Sequence, residues 1–410
     1  MTVTSSNNAM FIGGTSVSEL ADAAGTPLFV YDAEAIRTRM SELRTWLPES
    51  IRVHYAIKAN PFPPLLQLMA KLADGADIAS AGELQFALAA GFAASNIGFA
   101  GPAKTDAELH AAIEAGVRIH VESKGELTRL AAVARNIGKR ASTALRINPD
   151  FEVKGAGMRM GGGARAFGID AENVPQLLDE WSAVADVLDF VGFHVFAGSQ
   201  VLDGDVLAQT LRATWLLVRR LAASTPSTIR VVNLGGGFGI PYFTHERRLD
   251  TVPVAEALQE IATDAAKSLP DAALHVELGR YLVGEAGFYV ARVVDVKESR
   301  GHVFVMTDGG MNHHLAASGN LGQVIRRNFP IALAHRMDAF SNYSGGGAAH
   351  GAPVTVHGPL CTPLDVLADR IDLPPTKVGD LLVVFQSGAY AASASPQLFL
   401  SRGAASERLV

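Results

Sequence analysis

The sequence predicts an α/β fold in which an N-terminal (β/α)8 barrel is followed by a C-terminal all-β domain. Between about residues 50 and 280, short runs rich in β-branched residues alternate with longer segments whose apolar residues follow a helical spacing. Beyond about residue 286 the helical spacing gives way to strand patterns separated by turns. Eight strands with crossover helices fit a (β/α)8 barrel, which typically takes about 250 residues. A doubly wound open sheet is the alternative.

Eight segments carry the pattern of barrel strands. They are "VHYAIKA" from Val53, "ADIAS" from Ala76, "IGFAG" from Ile97, "RIHVES" from Arg118, "TALRIN" from Thr143, "DFVGFHVFA" from Asp189, "IRVVNLGGG" from Ile229 and "LHVELGR" from Leu274. Helical segments such as "SAGELQFALAAGF", "TDAELHAAIEAG" and "GDVLAQTLRATWLLVRRLAAS" separate most of them.

The β domain is predicted from four later strand patterns, "FYVARVVDVKES", "HVFVMTDGG", "VTVHGPL" and "DLLVVFQSGAY". One more strand candidate, "PLFVYD" from Pro27, precedes the barrel and could complete this domain, because chain ends often lie close together. We therefore expect residues 1–35 to join the β domain, residues 36–285 to form the barrel and residues 286–410 to form the β domain.

Composition narrows the classes of partner. The 410 residues are 48% hydrophobic and 19% charged with a net charge of -6, and they contain no block of Lys and Arg. This pattern predicts a globular protein that binds a small molecule or another protein, and neither nucleic acid nor a membrane. The one cysteine cannot form an intrachain disulfide, and the first residues lack the pattern of a secretory signal, so the cytoplasm is the expected compartment.

Polar residues at the carboxyl ends of barrel strands are the candidates for chemistry, because active sites of such barrels lie there. Lys58 ends the first strand pattern, where burial would make its neutral amine available as a nucleophile. A surface lysine at a strand end is the alternative. Glu277 ends the eighth strand pattern and needs a partner, either a protonated pyridine nitrogen or Arg280 in a salt bridge.

The seventh strand pattern runs into a glycine-rich loop. Consecutive glycines allow backbone N–H groups to approach an anion, and phosphate sites of barrels commonly follow strands seven and eight. A tight turn is the alternative, and the spacing is neither that of a Walker loop nor that of a dinucleotide fingerprint. The glycines concerned are Gly235, Gly236, Gly237 and Gly239.

A nucleophilic lysine, a phosphate cradle and a carboxylate for a pyridinium nitrogen together are what pyridoxal phosphate requires. Over nearly its whole length the sequence resembles the barrel-fold pyridoxal-phosphate decarboxylases, which include ornithine, arginine and diaminopimelate decarboxylases. The resemblance rests on motifs found in the family's order: "YAIKAN", "DIASAGEL", "GSQ", "GGGFG", "ELGR", "GPLCTPLD" and "SGAY".

The resemblance implies a role for each matching residue. Lys58 would hold the cofactor as a Schiff base, Glu277 would pair with its ring nitrogen, and Cys361 would return a proton to the α-carbon after carbon dioxide leaves. Family members are homodimers in which the cysteine segment completes the partner's site. The further cofactor contacts implied are Asp77, Arg146, His194, Phe196, Ser199, the glycines of the loop, Gly279, Arg280 and Tyr390. The substrate contacts expected are Arg280, Arg326, Thr362, Asp365 and Tyr390.

Two departures from the family pattern bear on the substrate and on the cofactor ring. The stacking histidine of the family falls at Phe196, whose aromatic face can still stack, while His194 matches the first histidine of that motif. Thr362 stands where diaminopimelate and ornithine decarboxylases carry an acid, which makes a substrate with a distal amino group less favoured. The sequence is thus similar to branches of secondary metabolism that act on carrier-linked aminoacyl groups, or that belong to exopolysaccharide or exosortase gene clusters.

Three other functions remain open from the sequence. A diaminopimelate or ornithine/lysine-type decarboxylase is the first alternative. An amino-acid racemase would place an arginine against the ring nitrogen, where this chain has Glu277. A non-catalytic cofactor-binding homologue would have lost part of the motif set. Arg326 could equally be a surface ion-pair residue, and the adjacent His313 and His314 lack the spacing of a metal site, so no metal is predicted.

Overall fold

A computed structural model describes residues 4–6, 9–153, 157–225, 227–243, 245–321, 323, 325–336 and 353–410. The chain forms two compact units. The barrel unit comprises Met40–Ile240 and Arg248–Gly279, and the β unit comprises Met1–Arg39, Pro241–Arg247 and Arg280–Val410.

The elements are numbered in chain order. The strands are β1 (Thr4–Ser6), β2 (Ala9–Ile12), β3 (Thr15–Ser16), β4 (Leu28–Tyr31), β5 (Ile51–Ala56), β6 (Gly75–Ile78), β7 (Ile97–Phe99), β8 (Arg118–Val121), β9 (Ala141–Asn148), β10 (Met158–Arg159), β11 (Ile169–Asp170), β12 (Leu188–Val195), β13 (Gly198–Ser199), β14 (Val231–Asn233), β15 (Ala273–Leu278), β16 (Gly287–Ser299), β17 (His302–Thr307), β18 (Ile331–Leu333), β19 (Pro353–His357), β20 (Val366–Asp372), β21 (Leu381–Val384) and β22 (Ser406–Leu409). The α-helices are α1 (Val17–Ala24), α2 (Ala33–Trp46), α3 (Pro63–Leu72), α4 (Ala81–Ala90), α5 (Asp106–Ala115), α6 (Lys124–Ile137), α7 (Val174–Asp179), α8 (Gly204–Ala222), α9 (Val252–Ser268) and α10 (Arg280–Val283).

The barrel unit is a closed ring of parallel strands. Its order is β9-β12-β14-β15-β5-β6-β7-β8, and β8 pairs again with β9, which closes the ring. Each of the eight predicted strand segments supplies one of these strands, and the predicted helices α4, α5 and α8 are present. The (β/α)8 barrel is therefore confirmed, and closure between β8 and β9 excludes the open sheet.

Local sequence signals set the ends of the barrel helices. The helices α4, α5 and α6 each begin after a Ser or Thr whose side chain accepts a hydrogen bond from the amide of a Glu three residues later, and each ends at a glycine with a left-handed backbone. The capping pairs are Ser80 with Glu83, Thr105 with Glu108 and Ser123 with Glu126. Because the barrel strands are all parallel, their carboxyl ends lie at one rim.

The β unit contains a mixed sheet, in agreement with the predicted β domain. The strand order is β18-β21-β16-β17-β19-β20, and β4 joins it by pairing antiparallel with β16, while β22 pairs parallel with β4. The strand predicted from Pro27 is thus β4. A core of side chains from β2, α1, β4, β16 and β21, including Ile12, Val30 and Val383, packs beside this sheet.

The barrel contains buried polar side chains that contact one another across its strands. The set comprises His54, Asp77, Arg118, His120, Arg146, His194, Asn233, His275 and Glu277. Buried polar groups require hydrogen-bond partners, so these side chains set the positions of charge inside the barrel. Among the described residues, no helix is long and apolar enough to cross a membrane.

Candidate active site

Lys58 lies in a short 3-10 helix, Ile57–Ala59, directly after β5, and not in the strand itself as the sequence predicted. Its Nζ lies 3.1 Å from Oε1 of Glu277 and 5.3 Å from the ring centroid of Phe196. The side chain is 45% exposed, so the burial expected of it is incomplete. The amine stands at the carboxyl end of the barrel strands, next to a carboxylate and an aromatic face.

Glu277 is a buried carboxylate on which three basic side chains act. Burial alone would raise the pKa of Glu277, but the Lys58 ammonium, a hydrogen bond from His194 and the Arg146 guanidinium outweigh it and hold the pKa well below its ordinary value. The His194 Nε2 atom lies 3.4 Å from Oε2 of Glu277. Glu277 is therefore ionised near neutral pH, as a carboxylate facing a pyridinium nitrogen must be.

His194 lies on β12, and Phe196 is the first residue beyond the end of that strand. His194 is buried, and its Nδ1 atom lies 2.9 Å from Nδ1 of His120 on β8. His120 belongs to none of the sequence motifs, although one pattern in the sequence marks it. In "RIHVES" the residues Arg118, His120 and Glu122 alternate with apolar residues, which marks a polar inward face.

Arg146 and Asp77 are both buried in the barrel unit. Nη1 of Arg146 lies 2.6 Å from Oε1 of the buried Glu122. Oδ2 of Asp77 lies 3.4 Å from Nδ1 of His54, and Asn233 donates to Oδ1 of Asp77 at 3.5 Å. Both predicted residues are thus held by side chains from neighbouring strands.

Glu83 is a further acid of the barrel unit. It belongs to the motif "DIASAGEL", and no role was predicted for it. Its carboxylate accepts a hydrogen bond from the Ala79 amide at 2.6 Å. Burial raises the pKa of Glu83 above its ordinary value, although the Ala79 amide and the Lys58 ammonium act in the opposite direction.

The glycine-rich loop after β14 is packed too closely for side chains. A Cβ on Gly236 would collide with the carbonyl oxygen of Glu277, and one on Gly237 would lie 2.7 Å from the carbonyl oxygen of Gly198. Gly237 also has a φ of 95°, which disfavours any other residue. Neither the Gly236 nor the Gly237 amide donates a hydrogen bond to a residue that the structure describes. Two consecutive free amides beside a strand end fit an anion such as a phosphate.

Ser199 and Gly279 flank this loop within the barrel unit. Ser199 belongs to β13, which pairs with β10. A Cβ on Gly279 would lie 2.7 Å from that of Ala59, so glycine is needed where β15 passes the turn that carries Lys58.

The β unit places Arg280 between two tyrosines. Nη1 of Arg280 donates a hydrogen bond to the Tyr242 hydroxyl at 2.7 Å, and its guanidinium lies 4.6 Å from the ring centroid of Tyr390. Burial raises the pKa of Tyr242, although Arg280 acts in the opposite direction. Tyr242 was not predicted as a site residue, because it lies in a loop without a motif. Glu277 contacts Lys58 and His194. A salt bridge to Arg280, the alternative from the sequence, is therefore not needed to explain a carboxylate that is buried at this position.

The segment "GPLCTPLD" is shaped by Asp365. Its fully buried carboxylate accepts hydrogen bonds from the Met311 amide at 2.6 Å and the Leu360 amide at 2.7 Å. The substrate contact expected of Asp365 does not fit this arrangement, because its carboxylate oxygens bind the backbone. Cys361 is exposed, so it is not a buried thiol, and Thr362 is partly exposed.

Arg326, another expected substrate contact, also belongs to the β unit. It donates a hydrogen bond to the carbonyl oxygen of Val366, while its buried Nε has no hydrogen-bond partner among the residues that the structure describes. A surface ion pair, the alternative from sequence, is not what holds this guanidinium.

A barrel with a lysine, a buried ionised carboxylate and a free-amide loop at its strand ends defines an enzyme that uses pyridoxal phosphate. Comparison with known proteins agrees. The sequence profile of the family described as "Pyridoxal-dependent decarboxylase, pyridoxal binding domain" matches residues 33–284, which is more than half of the chain. The chain belongs to this family, and it is a pyridoxal-phosphate-dependent decarboxylase.

Three similar proteins illustrate the range of the family. The chain is 36% identical over 393 residues to the L-glutamyl-[BtrI acyl-carrier protein] decarboxylase of Niallia circulans, covering 95% of this chain and 90% of that protein. It is 30% identical over 387 residues to the diaminopimelate decarboxylase of Aquifex aeolicus, covering 93% and 86%. The solved structure of a diaminopimelate decarboxylase from M. jannaschii in complex with L-lysine matches with a TM-score of 0.86 and 29% identity, covering 100% and 92%.

Proposed function

We propose that the cofactor is held by the residues that the sequence resemblance assigned. Lys58 binds it covalently, Glu277 faces its ring nitrogen, and Phe196 lies against its ring. Its phosphate is bound by Ser199, the glycine-rich loop, Arg280 and Tyr390, and further contacts come from Asp77, Arg146, His194 and Gly279. The free amides of Gly236 and Gly237 and the ionised state of Glu277 support this assignment.

When bound, the cofactor supplies an electron sink for the pair of electrons left on the α-carbon as the bond to carbon dioxide breaks. The chain's part is to hold the reacting atoms and to supply a proton. We propose that the Sγ–H of Cys361 delivers this proton to the α-carbon and is then restored from solvent. An exposed thiol fits that role, because it can exchange its proton with water.

We propose that the substrate is an acidic or neutral L-amino acid, and that a glutamyl-type group carried on a carrier protein is the preferred form. The observation that carries this is Thr362 beside Cys361, because a neutral hydroxyl cannot form an ion pair with a distal ammonium. The 36% identity to a decarboxylase of a carrier-bound L-glutamyl group supports it. A relative from Staphylococcus aureus, 29% identical over 375 residues, is named as a decarboxylase of a 2-hydroxybutanedioate derivative, which also departs from a simple diamino acid.

The test is a competition between substrates. The holoenzyme is incubated with a carrier protein bearing a glutamyl group, with free glutamate, and with free diaminopimelate and ornithine. Carbon dioxide release and the mass of the carrier-bound product are measured. The proposal expects turnover of the glutamyl carrier above that of both diamino acids, with none in the Lys58→Ala variant. Faster turnover of diaminopimelate or ornithine contradicts it.

A diaminopimelate decarboxylase is the second candidate. It is favoured by the TM-scores of 0.84 and 0.86 to two solved structures that cover the whole of this chain, the second a diaminopimelate decarboxylase with bound L-lysine. The same competition separates the two candidates, because the ranking of the substrates reverses.

We also propose that two copies of the chain share their active sites. The segment that contains Cys361 and a second segment next to Arg402 both carry exposed apolar residues. The side chain of Arg402 links them by donating a hydrogen bond to the carbonyl oxygen of Pro359 at 3.1 Å. The exposed apolar residues are Leu364, Leu398, Phe399 and Leu400, and Leu398 is 83% exposed. Apolar side chains so placed favour burial against a second copy.

Mixing two inactive variants tests the sharing of sites. Lys58→Ala and Cys361→Ala protomers are unfolded together and refolded, or coexpressed with different tags. If Cys361 serves the partner's Lys58, a mixed dimer has one site with both native residues, and random mixing restores about a quarter of the wild-type activity. No recovery in isolated mixed dimers means that Cys361 acts within its own chain. The cytoplasmic location remains a prediction from the single cysteine.

A further inference from the structure

Behind Glu277 lies a pair of buried histidines from two strands of the barrel unit. His120 is on β8 and His194 is on β12, on either side of β9, and both are 1% exposed. Their Nδ1 atoms face each other at 2.9 Å, and Nε2 of His194 lies 3.4 Å from Oε2 of Glu277. The three side chains therefore form a row that ends on the carboxylate.

The protons of this row follow from which atoms can donate. One of the two facing Nδ1 atoms must carry a hydrogen and the other must accept it, because two lone pairs at 2.9 Å repel. An ionised carboxylate attracts an N–H and repels a lone pair, so the Nε2 atom that faces Glu277 favours a hydrogen, although 3.4 Å is longer than an ordinary hydrogen bond. When His194 is neutral its one N–H is then at Nε2, whereas an imidazolium would donate from both ring nitrogens. His120 must accordingly donate from Nδ1.

The surroundings of His120 favour its neutral form. Burial lowers the pKa of His120 well below its ordinary value, and the nearby cationic side chains of Arg118, Lys104 and Arg146 act in the same direction. A neutral ring offers one donor and one acceptor, which is what the row needs.

The backbone of His120 is held in place from outside the row. Nζ of the buried Lys104 donates to the carbonyl oxygen of His120 at 2.9 Å and lies 2.6 Å from Oε1 of Glu126. The position of the His120 ring is thus fixed by an ion pair that does not touch Glu277.

We propose that His120 is a positioning residue, whose Nδ1–H donates to Nδ1 of His194 and so holds His194 in the tautomer that donates from Nε2 to Glu277. His194 then fixes one oxygen of the carboxylate while the other faces Lys58. The catalytic consequence rests on the proposed role of Glu277 toward the cofactor ring, but the tautomer itself does not.

The first test is spectroscopic and uses the cofactor-free chain. Histidine is labelled with 15N, the tautomer of each ring is read from long-range proton–nitrogen correlations, and His194 is assigned by its loss in His194→Gln. The expected result is a His194 ring protonated at Nε2 alone. A His194 imidazolium, or a ring protonated at Nδ1 alone, overturns the proposal whatever the enzyme's substrate proves to be.

The second test uses a matched pair of variants. The amide nitrogen of Asn occupies the place of histidine Nδ1, whereas that of Gln occupies the place of Nε2. His120→Asn therefore keeps a donor toward His194, and His120→Gln removes it. The variant His275→Gln is the control for replacing a buried histidine, since that ring stacks on His54 at 4.1 Å.

In His120→Asn the His194 tautomer and the affinity for pyridoxal phosphate stay near those of the wild type. In His120→Gln the Nε2–H population falls, and the dissociation constant of pyridoxal phosphate rises by about tenfold or more, the loss expected for one hydrogen bond to a charged group. Equal behaviour of the Asn and Gln variants contradicts a role through Nδ1. Absence of decarboxylation with every substrate, with the tautomers as expected, refutes the proposed function and not this inference.

Discussion

Replacing Asp365 by Ala tests whether this residue shapes the Cys361 segment or contacts substrate. Its carboxylate accepts one hydrogen bond from the Met311 amide and one from the Leu360 amide, and the side chain is fully buried. The Ala variant leaves two buried amides without acceptors. Each unsatisfied buried group costs about 1–3 kcal/mol, so the local structure loses about 2–6 kcal/mol.

Hydrogen exchange measures this loss at the two amides themselves. The exchange of the Leu360 and Met311 amides in the Ala variant accelerates by about 30-fold or more, since 1.4 kcal/mol corresponds to about a factor of ten. Steady-state kinetics give the second readout. A segment that no longer holds Cys361 in place lowers kcat more than it raises KM.

The control is Asp369→Ala, which removes an acid of the same unit whose side chain is 45% exposed. We expect it to leave both amides and kcat near their wild-type values, because exposed substitutions change stability little. If Asp365→Ala raises KM with unchanged kcat and unchanged exchange at Leu360 and Met311, then Asp365 contacts substrate and the reasoning from its burial is wrong.

Four further predictions follow from the structure. Lys58→Ala loses both the absorbance of the covalently held cofactor and carbon dioxide release; retention of full activity would show that another group holds the cofactor. Thr362→Glu raises the ratio of diaminopimelate to glutamyl-carrier turnover by about tenfold or more, since a charged partner for the distal ammonium adds about 1.5–3 kcal/mol of binding energy. An unchanged ratio means that Thr362 does not face the substrate. Gly236→Ala weakens cofactor binding and lowers thermal stability because its Cβ collides with the carbonyl of Glu277, and a variant as stable and active as the wild type contradicts this close packing. Burial lowers the pKa of His314 from 6.5 to about 3, so this residue contributes stability above pH 6.5 that is lost as the pH falls toward 3. Between pH 6.5 and 5 the free energy of unfolding of the apoprotein should fall by about 2 kcal/mol more than that of His314→Gln. Equal slopes for the two proteins contradict a lowered pKa at His314.

Much of the fold could be read from the sequence because its signals are local. Runs of β-branched residues and helical spacing located all eight barrel strands, and the caps at Ser80, Thr105 and Ser123 mark the starts of three helices. Strand ends were less certain. Lys58 lies in a turn after β5, because backbone geometry beyond "HYA" is decided by packing against Gly279.

The residues of the candidate site likewise divide into those that the sequence predicted and those that it did not. Lys58, Glu277 and the glycine-rich loop were found because their residue types are unusual at strand ends. His120, Glu122 and Tyr242 were missed, since their significance lies in contacts with residues far away in the chain. A motif likewise does not tell whether the carboxylate of Asp365 points at substrate or at backbone amides.

The sequence by itself determined the order of strands and helices, the family and the set of reactive groups, because periodicity, capping and residue type are properties of neighbours in the chain. Only the tertiary structure decided which groups share protons and charge. Ion pairs and hydrogen bonds act over about 3–4 Å in space, irrespective of separation along the chain. The pairing of Lys58 with Glu277, 219 residues apart, and the facing rings of His120 and His194 arise only when the barrel closes.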